Sequence, residues 1–79
     1  MARVIDGQEQ NIIGGNIKKF RIKKGMTQKA LSEKLETFAV YVCRGSISRI
    51  EGKTRTVSDI EAVGFSQALD IPIEQLFAQ

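Results

Sequence analysis

The sequence predicts an all-α domain of five short helices, and three observations carry that prediction. Apolar residues recur at helical spacing, as at Ile13, Ile17 and Phe20, and again at Leu31, Leu35 and Phe38. Helix start and stop signals fall at matching intervals: Thr27 and Ser58 as caps, Gly25 and Gly52 as stops, Pro72 in an opening turn. The one run with strand character, residues 38–43, has no second strand to pair with. A chain of 79 residues makes one domain with a small core, so each large apolar side chain counts.

Taken in order, residues 1–11 lack periodicity and read as a flexible N-terminal arm; residues 12–79 form the domain. Arg3 makes a groove-reading arm conceivable, against the simpler reading of a frayed terminus. Asn11 is a suitable cap for the first helix. Gly14 and Gly15 weaken its first turn by about 1 kcal/mol each, but small residues there also admit another backbone. Lys23 and Lys24 suit the negative end of the helix dipole, and Gly25 supplies a left-handed stop. Met26 is expected to turn inward.

The second helix starts after Thr27. No glycine follows Leu35, so the helix is expected to run on to about Thr37 or Ala39. Residues 38–43 are expected to pack under the third helix as an apolar connection, with Cys43 as a small hydrophobe. The third helix begins at Arg44 or Gly45 and ends at Glu51. Ser58 and Glu61 fit a capping box for the fourth, whose apolar surface is expected from Ile60, Val63, Phe65, Ala68 and Leu69. Pro72 opens a fifth helix with Ile73, Leu76 and Phe77 as its apolar face.

Composition narrows the function. There is no histidine and a single cysteine, so neither a zinc site nor a nucleophile–base pair can be assembled; no enzyme, metal or cofactor is expected. No apolar run approaches the roughly 20 residues of a membrane span and no export signal is visible, so the cytoplasm is the expected compartment. The net charge of +3 hides a strong polarity. Residues 18–55 carry eleven Lys or Arg against three Glu, whereas residues 56–79 carry four acids and no base. Such a chain meets phosphate with one face and something else with the other, or simply has an unevenly charged solvated surface.

The third helix sharpens the choice. Ile47 and Ile50 share one face; Ser46, Ser48 and Arg49, with Arg44 at the start, occupy the other. A helix this short is stable only when its apolar face is packed, so the basic and hydroxyl face points outward. Two packed helices presenting such a face have the shape that enters a DNA major groove. Arg44 and Arg49 are suited to guanine, with Ser46 and Ser48 reaching bases or phosphates. Thr27 and Gln28 at the start of the second helix, and Lys53 and Arg55 after the third, are suited to phosphates.

These residues resemble the Cro/repressor-type, Xre-like helix-turn-helix DNA-binding family. The resemblance runs over residues 13–77. It rests on Ile17-Lys-Lys-Phe-Arg21, Lys24-Gly-Met-Thr-Gln28, Ala30-Leu31, Ser46-Ile-Ser-Arg-Ile-Glu-Gly52 and Ala68-Leu69. It implies a lambda-repressor-like five-helix domain in which Gln28 bonds phosphate and steadies recognition residues. It also implies an internal ion pair between Arg21 and Glu51, where the residues alone leave Arg21 equally readable as a surface arginine.

Two departures from the family pattern stand out. Several extra residues lengthen the connection between helices 2 and 3, and Gly45 stands where a base-reading side chain is common. The function implied is sequence-specific binding of double-stranded DNA, by a homodimer on a pseudo-palindromic operator, to regulate transcription. Ile73, Leu76 and Phe77 are the candidate dimer surface, unless they only close the core. The alternative is an antitoxin-like protein-interaction module that kept the fold.

Overall fold

Each predicted helix forms. The computed structural model describes residues 9–79. Among these, the helices are α1 (Gly14–Lys23), α2 (Gln28–Glu36), α3 (Arg44–Glu51), α4 (Asp59–Leu69) and α5 (Ile73–Phe77), and no strand is present. The local signals act as physical chemistry requires. Thr27 Oγ1 accepts from the Ala30 amide, and Ser58 and Glu61 close a reciprocal capping box. Gly25, the residue after the Lys24 cap of α1, takes φ +70°, a conformation that costs glycine nothing.

The core lies where the five helices meet, around Phe65, Ile17, Leu31, Leu35, Ile47 and Ile50, all fully buried. Helix α3 packs on α1 and α2, and α4 backs them both. Asn16 of α1 donates to the carbonyls of Leu76 and Ala78, fastening the C-terminal end across the start of the bundle. No helix of the described residues is long and apolar enough to cross a membrane.

Some expectations hold and others need correction. Helix α2 runs past Leu35 to Glu36 with Thr37 as its cap, the near end of the expected range, and does not reach Ala39, which adopts a left-handed φ of 61°. Gly52 caps α3 as expected, in a right-handed conformation, and the left-handed residue is the next one, Lys53, at φ 63°. On α4, Ile60 and Val63 are exposed, while Ala62, Phe65, Ala68 and Leu69 face the core. Phe38 is also partly exposed. Cys43 is exposed rather than packed, because burial alternates along residues 40–43 and only Val40 and Val42 point inward.

Leu76 is fully buried, so it closes the core and cannot serve a dimer surface; Ile73 and Phe77 remain exposed. Residues 1–8 of the expected arm, Arg3 among them, lie outside the described residues. Gln10 and Asn11, expected in that flexible arm, are instead fastened to the domain. The Gln10 amide donates to the Lys53 carbonyl at 2.9 Å, and Asn11 Nδ2 donates to the carbonyls of Ile50 and Arg55 at 3.1 and 2.8 Å.

Candidate nucleic-acid interface

The outward face of α3 is built by its inward one. Ile47 and Ile50 are fully buried, three residues apart, and they fix the rotation of the helix about its axis. That rotation leaves Arg44, Ser48 and Arg49 exposed and Ser46 half-buried at the margin. Arg49 Nη2 donates to Ser46 Oγ at 3.0 Å, so these two expected base-reading residues are brought together. Arg44 forms no hydrogen bond or ion pair with the described residues, which leaves its guanidinium available to a ligand. Cys43 Sγ lies 3.4 Å from Ser46 Oγ. The Ser46 hydroxyl, then the Ser46 and Gly45 amides and the Arg49 charge, hold the thiol below its ordinary pKa.

The pose of α3 relative to the other helices is set by two polar fastenings. At its C-terminal end, Glu51 receives Arg21 Nε at 2.7 Å and Arg21 Nη2 at 3.1 Å, while Gln28 Nε2 donates to the same carboxylate at 3.0 Å. Arg21 Nη1 donates to the Met26 carbonyl at 2.9 Å. A carboxylate with three charge-assisted or amide donors is well satisfied, so its burial carries no orphaned lone pair.

The second fastening is Asn11. Its Oδ1 accepts from the Gly14 amide at 2.7 Å while its Nδ2 holds the last turn of α3 and the loop beyond. Gly14 sits so close that a Cβ there would collide with the Ile50 carbonyl. The first turn of α1 and the last turn of α3 therefore touch backbone to backbone.

The expected phosphate-binding residues divide. Thr27, Gln28, Arg21, Lys29 and Arg44 line a cleft of about 500 Å³ between the starts of α2 and α3. The first amides of α2 open beside it, where a helix terminus favours anions. Lys29 was not singled out in the sequence, because nothing local distinguishes it from other surface lysines; only the tertiary fold brings it to this cleft. Gln28 serves Glu51 with one amide hydrogen and retains a second.

Arg55 is differently placed. Its two terminal nitrogens are occupied by Glu61 at 3.1 and 3.0 Å, and Nη1 also by the Thr56 carbonyl. That contact raises the arginine pKa and holds the Glu61 carboxyl below its usual range. It fastens the α3–α4 loop. Lys53 Nζ stands 3.9 Å from Glu9. No group of three or more metal-ligating side chains exists among the described residues.

The structure is similar to the restriction-modification controller protein C.AhdI from Aeromonas hydrophila, with a TM-score of 0.73 and 26% identity over 82% of this chain and 87% of that one. It is also similar to the hypothetical transcription factor NHTF from Neisseria, with a TM-score of 0.75 and 23% identity over 99% and 85% of the two chains; that likeness is one of fold. No curated protein sequence matches the chain. A family model described as helix-turn-helix matches residues 17–76, spanning α1 to α5. The chain belongs to the Cro/C1-type, Xre-like helix-turn-helix family of DNA-binding, non-enzymatic transcription regulators.

Proposed function

We propose that this protein is a sequence-specific regulator of transcription that binds double-stranded DNA in the cytoplasm as a homodimer on a pseudo-palindromic operator. One observation carries the reading: α3 buries Ile47 and Ile50 completely and leaves Arg44, Ser48 and Arg49 exposed, with Ser46 half-buried at the margin of that face. In the major groove, Arg44 and Arg49 donate to guanine O6 and N7, each contact worth roughly 1–3 kcal/mol of discrimination. Ser46 steadies Arg49, and Ser48 reaches base or phosphate. Thr27, Gln28, Lys29 and the first amides of α2 take one phosphate run, and Lys53 joins the backbone contacts beyond α3. Ile73 and Phe77 are the exposed apolar residues of α5 through which two copies meet.

The likeness to a controller protein supports a regulatory role for a chain of this size. A second reading, a protein-interaction module of the antitoxin type, is favoured by a different observation. Phe38, Ile60 and Val63 are exposed around an apolar groove of about 420 Å³ beside α4.

Substituting Arg44→Ala and Arg49→Ala together separates the two. On the regulator reading, the double variant keeps its fold and loses specific DNA binding by about thirtyfold or more, following roughly 1–3 kcal/mol for each of two bidentate arginines. Unchanged DNA affinity in that variant removes α3 from the interface.

A further inference from the structure

The lengthened connection between α2 and α3 presents a residue for which the reading above has no use. Burial alternates over residues 40–43: Val40 and Val42 point into the core, Tyr41 and Cys43 point out. Tyr41 is 75% exposed, the most exposed large apolar side chain among the described residues. Its phenol has no hydrogen-bond partner there.

The backbone on either side is nevertheless fixed. The Val40 amide donates to the Leu35 carbonyl at 3.1 Å, and Ser32 Oγ donates to the Val42 carbonyl at 2.7 Å. Val40 also packs on α4, within 3.1 Å of where a Gly64 Cβ would stand. An aromatic side chain is thus held out to solvent from a rigid mount, so its main chain loses little freedom when a ligand is met.

The direction in which it stands out follows from Cys43. That residue shares the outward side of the extended segment, and its Sγ reaches Ser46 on the open face of α3. Tyr41 is two residues back on the same side, about 6–7 Å farther from the start of α3. With α3 in the groove, that distance carries the phenol past the base edges to the sugar–phosphate wall beside the helix N-terminus.

We propose that Tyr41 is a DNA-contact residue that donates its O–H to a backbone phosphate flanking the base pairs read by α3. The proposal rests on the DNA-binding reading above and extends it to the inserted connection, which the family match does not assign. Tyrosine is suited to this task because the contact fixes register without selecting a base.

The test uses the full chain and a duplex enriched from a random library, with Tyr41→Phe and Tyr41→Ala beside the unsubstituted protein. Duplexes carrying single methylphosphonates scan the phosphates one at a time. Tyr41→Phe is expected to weaken binding about tenfold, as loss of a hydrogen bond to a charged group does, with no change in thermal unfolding. One neutralised phosphate per half-site is expected to weaken the unsubstituted protein to the same degree while leaving Tyr41→Phe unaffected.

Equal affinity of Tyr41→Phe and the unsubstituted protein overturns the phosphate contact, and so does a loss seen only with Tyr41→Ala. In both cases α3 recognition stands. If the unsubstituted protein binds no duplex, the DNA reading itself fails and takes this contact with it.

Discussion

Arg21 grips Glu51 through two parallel hydrogen bonds, which tie the end of α1 to the last turn of α3. Both side chains are largely out of solvent, at 12% and 4% exposure, and Gln28 completes the set. The pair does more for the geometry of α3 than for the stability of the fold, because the attraction of two desolvated charges only roughly offsets their lost hydration. Breaking it is another matter. Glu51→Ala strands a buried guanidinium and is expected to cost about 3–5 kcal/mol. A 79-residue domain has roughly 4–12 kcal/mol in all, so a large fall in Tm should follow. The paired replacement Arg21→Met with Glu51→Leu should melt higher than either single variant in the same calorimetric series.

The glycine pair at the start of α1 should respond in opposite directions. At Gly14 a methyl would push into the Ile50 carbonyl, so Gly14→Ala is expected to destabilise by about 1–3 kcal/mol and to weaken DNA binding by shifting α3. At Gly15 the nearest atom is Lys53 Cε, 3.8 Å away. Gly15→Ala should therefore stabilise, by up to about 1 kcal/mol. Urea titrations of the two variants check the contrast.

Ala39 holds a left-handed backbone, φ 61°, where α2 gives way to the connection. An L-residue pays about 1–2 kcal/mol there, part of which glycine returns through the greater entropy of its unfolded chain. Ala39→Gly is expected to raise stability by roughly 0.5–1 kcal/mol, visible as a shift in the urea midpoint at constant m-value.

Acid should loosen the α3–α4 loop through Glu61. Its contact with Arg55, followed by the Ser58 amide, holds its folded pKa below the usual glutamate value. A depressed carboxyl contributes stability that is complete above its unfolded pKa and is lost as pH falls through the folded value. Stability should hold above about pH 5 and decline below the ordinary glutamate range near 4.3. Glu61→Gln should flatten that acid limb, read from Tm measured between neutral pH and acid.

Much of this was legible in the sequence, and the misses have physical causes. Thr27, Ser58, Glu61 and Gly25 are local devices that act within one turn, so their roles could be read directly from their spacing. The Arg21–Glu51 contact came from the family resemblance, since nothing local pairs residues 30 positions apart. Helix α4 misled because it is apolar almost all round; Ile60 and Val63 fit a stripe as well as Ala62 and Phe65 do, and only packing chooses between them.

Asn11 suits a helix cap by residue type, but the cap position of α1 falls on Ile13, and Asn11 accepts from the Gly14 amide from two residues upstream of that position. Its two bonds to carbonyls 39 and 44 residues away belong to the tertiary fold alone. Arg55 looked like a phosphate contact because a loop arginine after α3 is well placed for one. Its bidentate hold on Glu61 depends on how the loop turns into α4. Leu76 illustrates the limit of a hydrophobic stripe, which cannot say whether its residues face this core or another copy.

On the function proposed above, α3 reads DNA sequence as one half of a symmetric pair. The most direct measurement is selection from a random duplex library, repeated at two salt concentrations. An enriched pseudo-palindrome is expected, with half-sites about one helical turn apart and an affinity that falls steeply with salt. Binding at low salt without any enriched sequence, or no binding at all, would contradict it.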